Sequence, residues 1–256
     1  MSFSSPLRVL TLVSWALLAT AAQAQSFTLS PAVVPLKGDF GQSTTQTLTL
    51  RNDSDMPMSF ALEARDVVVR DGQREFVEAG KLPQSVAASA VFTPNRIEVP
   101  ANSNASVSVL LTLPSNMKTR AVAAYFRSLT PVMQNGRPAL FSLGTLFTFT
   151  MSERIGITHE ALQIDPPSNS KTLRLHSSLL NSGDEPVVPA GMAVLIDSQN
   201  RMVGKAAFAP KRLLPGEKGV LEASYPGELP AGTYRVVSTI DAAGRAYSLN
   251  GSLVVP

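Results

Sequence analysis

The feature that most restricts this chain is a series of short apolar alternations, each cut off by turn-forming residues, with no helical period competing. Leu48 and Leu50 fall on one side of a strand while Thr47, Thr49 and Arg51 fall on the other, the period of a half-buried strand. Asp53-Ser54-Asp55-Met56-Pro57 breaks that run, and residues 59–69 resume it around Phe60, Leu62, Val67 and Val69. Asp71-Gly72 is a hairpin signal. Further runs follow at 106–113 (Val107, Val109, Leu111), at 121–129 and, after Asn135-Gly136, at 140–151. The second half has the same habit: 187–197, 202–208, 233–240 and 246–255 are apolar or β-branched, with Ser, Gln, Asn, Asp and Gly between them. Such spacing predicts an all-β chain of sandwich type.

A repeat divides the chain. Phe92, Pro94, Arg96 and Pro114 are answered at a constant distance of 116 by Phe208, Pro210, Arg212 and Pro230. Upstream, Asn52-x-x-Asp55-x-Pro57 is answered at 129 by Asn181-x-x-Asp184-x-Pro186. The drop from 129 to 116 assigns about 13 extra residues to the first copy, in the polar, loop-like stretch around 78–89. Each copy places a Phe at a strand end, to be buried, and a Pro that cannot serve in a central ladder. Two copies predict two tandem immunoglobulin-like β-sandwiches, 25–157 and 158–256, meeting near 152–158.

Residues 1–24 are a separate matter. One cation, Arg8, precedes an apolar stretch from Val9 to about Ala19, and Ala22-Gln23-Ala24 follows. That is the pattern of a signal peptide with its cleavage site, and the stretch is short of the roughly 20 residues a spanning helix needs. The expectation is an exported protein with no membrane insertion after cleavage. Of 256 residues 232 remain, and the formal charge falls from +3 to +2 once Arg8 is gone. So small a charge, without a cationic run, gives no footing for nucleic acid. The chain has no cysteine, which removes disulfides, thiolate zinc and thiol nucleophiles, so each sandwich must stand on its own apolar core.

No catalytic constellation stands out. The two histidines are His159 and His176, and position 163, where a zinc-protease helix would place its second His, is Gln163. There is no Gly-x-Ser-x-Gly elbow and no glycine-rich phosphate loop. Glu153 and Glu160 read as solvated surface charge. Catalytic, metal and cofactor-binding residues are therefore none, and the chain reads as a binding protein rather than an enzyme.

Leu48-x-Leu50-x-Asn52, Phe92-x-Pro94, Val99-Pro100-Ala101-Asn102, Val107-x-Val109, Leu113-Pro114 and Ala124-Tyr125-Phe126 together resemble the periplasmic pilus chaperones, the PapD-like group, best over 28–157. The resemblance implies a periplasmic chaperone that completes pilin-type subunits by lending them a β-strand, with pilin-like subunits and an outer-membrane usher as partners. It puts the donor strand on Phe141, Leu143, Phe147, Phe149 and Met151, with Thr145 the one weak step. The same alternation also fits a last core strand of the first domain. Members of the group hold a subunit's terminal carboxylate with an early Arg and a donor-strand Lys. Here the early stretch is Ser30-Pro31-Ala32-Val33-Val34, and the nearest cation to the donor strand is Arg154. Arg154 is thus the candidate carboxylate anchor, its alternative a solvated hinge cation. The rival reading of the whole chain is a non-enzymatic envelope or adhesion-associated module with no subunit client.

Overall fold

The computed structural model describes residues 27–39, 41–113, 121–134, 136–151, 154–167 and 172–256; the expected signal peptide at 1–24 lies outside them. In chain order the first half holds β1 (Phe27–Ser30), β2 (Val33–Lys37), β3 (Ser43–Asn52), β4 (Met58–Arg70), β5 (Gln73–Glu78) and β6 (Val91–Thr93). It continues with β7 (Arg96–Val99), β8 (Ser103–Thr112), β9 (Ala121–Ser128), β10 (Val132–Gln134), β11 (Arg137–Ala139) and β12 (Ser142–Thr150). The second half holds β13 (Ile157–Asp165), β14 (Leu173–Asn181), β15 (Ala190–Ile196) and β16 (Met202–Phe208). It ends with β17 (Lys218–Tyr225), β18 (Gly232–Ala242) and β19 (Arg245–Val255). Among the described residues the one helical element is a 3-10 turn at Ala87–Ser89.

These strands make two sandwiches. In the first, β1-β3-β8-β6 faces β2-β12-β9-β4-β5, with β7 paired to β4 and β10–β11 a separate hairpin. In the second, β13-β14-β17 faces β16-β15-β18-β19. Each encloses its own apolar cluster. One is centred on Leu48, Leu50, Phe60, Val107, Phe126 and Phe147, the other on Leu175, Leu179, Leu195, Phe208, Leu221 and Val236. Alternate residues feed these clusters from strands of both sheets, as the two-residue period demands. Leu48 and Leu50 are fully buried and Thr47 and Thr49 are not.

The repeat is built as one corner used twice. Asn52 is completely buried at the end of β3. Its Oδ1 accepts the Ser54 N–H at 3.0 Å, and its Nδ2 donates to the carbonyls of Met56 (2.8 Å) and Val99 (3.1 Å). Asn181, equally buried at the end of β14, repeats the pattern. Its Oδ1 accepts the Gly183 N–H at 3.0 Å, and its Nδ2 donates to Glu185 O (2.8 Å) and Leu213 O (3.1 Å). An amide is needed because the corner offers one backbone donor and two carbonyls to the same side chain.

The register also locates where the copies differ. The spacing of 129 holds through the next turn, where Asp71 and Asn200 both carry positive φ, 52° and 62°. Gln73 and Met202, which open β5 and β16, keep that spacing, so the 13 extra residues of the first copy fall between Gln73 and Phe92. Phe92 and Phe208 follow at 116, but they are not equally buried. Phe208 is 3% exposed, while Phe92 is partly buried on the three-residue β6 at a sheet edge. Two more residues drop out next. The four-residue β7, where Met58 pairs with Val99, is reduced in the second domain to the single bridge Val187–Leu213. From there the strand register runs at 114, since Arg51 faces Asn104 and Leu180 faces Lys218. The Pro114–Pro230 match at 116 is therefore out of register, and Pro114 itself lies outside the described residues.

The extra stretch is more than a polar loop. Its far end supplies Val86 and Ala87 to the first core. A fully buried carboxylate, Asp66 on β4, holds it there. Asp66 accepts the Val86 and Ala87 N–H groups at 3.0 and 3.1 Å and the Ser85 hydroxyl at 2.5 Å.

Candidate functional site

The face that distinguishes the first sandwich is the β12 end of its larger sheet. β12 pairs with β9 along Ser142–Thr148, and β2 runs parallel beside it only from Leu146 to Thr150. The chain enters that position from β1 through a cis Ser30–Pro31 bond. The boundary is marked by Leu146 N–H donating to Ala32 O at 3.0 Å and the Thr145 hydroxyl donating to Pro31 O at 2.7 Å. Ladder bonds alternate in direction along a strand. Phe141 is turned toward β9, its carbonyl accepting from Ser128 N and its N–H donating to Ser128 Oγ, both at 2.9 Å. Leu146 is turned toward β2, so the backbone groups of Ser142 and Gly144 point to the uncovered side. The result, among the described residues, is a short open edge of about two residues of backbone, upstream of a covered one.

The five proposed donor residues divide along that line. Phe147 and Phe149 are fully buried in the first core. Leu143 is half-buried against the same core. Phe141 is half-buried, its ring centroid 4.9 Å from Phe27 and 5.8 Å from Phe60. Met151 lies just past the end of β12, where its N–H donates to Glu185 Oε1 at 2.9 Å. All odd positions from 141 to 149 face inward, Thr145 among them and completely buried. Arg154 stands between β12 and β13 rather than beside the open edge. It forms an exposed pair with Asp184 (Nε–Oδ2 3.2 Å), and its carbonyl accepts the Asp184 N–H at 2.7 Å.

The outward face of the same sheet carries residues that sequence reasoning passed over. Gly144 lies across from Tyr125, and a Cβ at Gly144 would meet the Tyr125 ring at 3.1 and 3.3 Å. The ring is leaned on by Phe76 (centroids 5.9 Å apart) and by the Arg65 guanidinium at 5.7 Å. Burial pushes the Tyr125 phenol up, Arg65 working against that shift and Glu63 with it. Glu63 bonds Arg65 at 3.0 Å and stands 3.9 Å from Arg127. Only the glycine signals this arrangement in the sequence, as a site of close approach within a strand.

Further along that face the second domain seats itself. Leu214, 2% exposed, packs on Val67, Ala121 and Ala123. Lys218 N–H donates to Gly72 O at 2.9 Å. Arg74 reaches Glu217 (Nε–Oε2 2.9 Å) and the Arg212 carbonyl (2.6 Å), and the Leu214 N–H donates to Glu217 Oε2 at 2.7 Å. Desolvation lowers the Arg212 pKa, the nearby Arg74 charge adding to it. Among the described residues no three His, Asp or Glu side chains stand together as metal ligands. No described helix is long and apolar enough to cross a membrane.

A family model described as an Fn3-like domain matches residues 36–135, less than half of the chain. No curated protein matches it. Among solved structures the chain is similar to the class 5 fimbriae chaperone CfaA, at 17% identity, covering 90% of this chain and all of that one, with a TM-score of 0.45. It is similar to the E. coli chaperone DraB at 15% identity, over 90% of this chain and 99% of that one, TM-score 0.40. It is also similar to a chain of the CsuC–CsuE chaperone–tip adhesion subunit pre-assembly complex of Acinetobacter baumannii, at 10% identity, 88% and 97% coverage and TM-score 0.43.

Proposed function

We propose that the protein is a non-enzymatic periplasmic chaperone that binds pilin-type subunits by β-strand addition and delivers them to an outer-membrane usher. The observation that carries this reading is the half-uncovered β12. The sheet ends in an edge whose backbone is open at Ser142 and Gly144 and covered by β2 from Leu146 onward. An incoming strand has a place to pair and a stop at its end. Natural sheets commonly protect such edges, so an edge left open beside half-buried Phe141 and Leu143 and exposed Leu140 suits a surface kept for a partner. The tip subunit of the CsuC–CsuE complex named above motivates the choice of client, and residues 1–24 the route to the periplasm.

Because Phe147 and Phe149 are buried in the first core, the test belongs at the open part of the strand. Substituting Phe147 would damage the host core, whereas Ser142→Pro removes a donor that faces the open side and no internal ladder bond. Co-expression with pilin-type subunits encoded beside the gene, followed by co-purification, is the measurement. Ser142→Pro and Leu143→Thr are expected to leave the chaperone folded by circular dichroism and to release the subunit. Undiminished recovery of the subunit with both variants would refute strand addition at β12.

A further inference from the structure

The second sandwich contains a histidine in a place that favours its neutral form. β13 is the first strand after the inter-domain junction and the outer strand of β13-β14-β17. It carries a bulge at Glu160, between His159 and Ala161, and bulges re-aim the neighbouring side chain. His159 is turned onto β14, where its Nε2 meets the hydroxyl of fully buried Ser177 at 2.5 Å. The other ring nitrogen, Nδ1, is sealed from solvent beside the Tyr247 backbone and has no well-formed hydrogen bond among the described residues.

Protonation would put a donor and a charge at that sealed nitrogen, where the Tyr247 backbone offers an acceptor but no charged side chain among the described residues answers the charge. On β14, Arg174 and His176 alternate with inward-facing Ser177 and so lie on the other face. On β17, Lys218 and Glu222 are exposed; on β18, Arg235 and Asp241; on β19, Arg245. Glu160 is exposed on the bulge itself, and the titratable groups that pack on this core are the phenols of Tyr225, Tyr234 and Tyr247, of which Tyr247 is the one beside His159. An uncompensated charge in such a place is costly.

We propose that His159 is an acid-responsive pin for β13, loosening the second domain next to the inter-domain junction as the surroundings turn acidic. Desolvation lowers the His159 pKa, the Tyr247 backbone partly opposing it. A base whose folded-state pKa is depressed contributes stability that is complete above its unfolded value, about 6.5, and lost as pH falls toward the folded value. His176 stands on the other face of β14, its Nε2 3.1 Å from Asp165 Oδ2 and its Nδ1 3.9 Å from Glu222 Oε1.

With two histidines in the chain, both imidazole resonances of the full-length protein can be followed by NMR from pH 8 to pH 5. His159 is expected to titrate below the ordinary imidazole value of about 6.5, and amide protection factors along β13 to fall severalfold across that range. His159→Gln, neutral at every pH and still able to bond Ser177, should abolish the fall, and His176→Gln should retain it. Unchanged β13 protection in the wild type, or the same fall in His159→Gln, would overturn the proposal. If His159→Gln does not fold, the wild-type titration decides: His159 titrating at or above the ordinary imidazole value of about 6.5 refutes it.

Discussion

The two sandwiches share a corner and differ in what is hung on it. Asn52 and Asn181 make the same three kinds of hydrogen bond at the same strand end. That corner fixes how the strand after it leaves for the opposite sheet. Beyond it the first domain adds 13 residues pinned by Asp66, a real β7, and a final strand covered along only half its length. The second has none of these and keeps just a bridge where β7 would be. What the comparison teaches is that the buried polar anchor is retained while strand edges vary, because an anchor's partners are fixed by geometry and an edge answers to whatever lies outside it.

The sharpest test of the pairing is the aromatic at each strand end. Phe208→Ala empties a fully enclosed position and should destabilise the second domain by about 3–5 kcal/mol. Phe92→Ala removes a ring already partly in solvent and should cost about half as much. Urea denaturation of the two variants checks this, and equal losses would erase the distinction drawn between the two sites. Next, Asn52→Ala and Asn181→Ala each strand a buried N–H and two carbonyls. Each should cost about 2–3 kcal/mol, near the upper end for buried unsatisfied groups. If one were tolerated within about 0.5 kcal/mol, as surface changes are, the corner would not be a shared anchor.

Much of this was legible in the sequence and some was not, for reasons that differ by residue. The Asn-x-x-Asp-x-Pro spacing pointed to the corner because the side chain bonds its own local backbone. The alternation of Phe141 through Phe149 pointed to a strand, but alternation alone cannot say whether a face meets its own core or a partner. The coordinates turn every odd position inward, so the open part of β12 is its backbone near Ser142 and Gly144. No local signal announces that edge, since it depends on where β2, over a hundred residues away, stops covering it. The stretch at 78–89 read as polar loop because Val86 and Ala87 are few among many polar neighbours. Their burial depends on Asp66, and a lone carboxylate in an apolar strand shows no partner in the sequence. The link between Arg74 and Glu217, 143 residues apart, was beyond any motif.

Asp66 gives a smaller effect confined to one domain. Asp66→Ala leaves the Val86 and Ala87 N–H groups without their acceptor in a buried site, a loss of about 2 kcal/mol. The visible consequence should be local, with limited proteolysis opening the chain between Gly80 and Ala90 well before the wild type. Cleavage at the wild-type rate would mean that Val86 and Ala87 hold the segment by apolar contact alone.

The smallest effect belongs to the contact between the sandwiches. Arg74→Ala removes two hydrogen bonds that cross from β5 to the second domain, yet Glu217 keeps the Leu214 N–H and Leu214 keeps its apolar seat. The carboxylate is 9% exposed and the guanidinium 26%, so the pair is better shielded than a surface ion pair, whose usual worth is below about 1 kcal/mol. Its loss is set at about 1 kcal/mol. That is too little to unfold either core but enough to be seen in how they unfold together. Calorimetry should show a single transition in the wild type separating into two in Arg74→Ala, with the higher midpoint unchanged. The coupling would then lie in this contact and the stability in the two cores. Should Arg74→Ala instead lower both midpoints equally with one sharp transition, the domains would be joined chiefly through Leu214 and the Gly72–Lys218 backbone bond, and Leu214→Ala would become the variant that parts them.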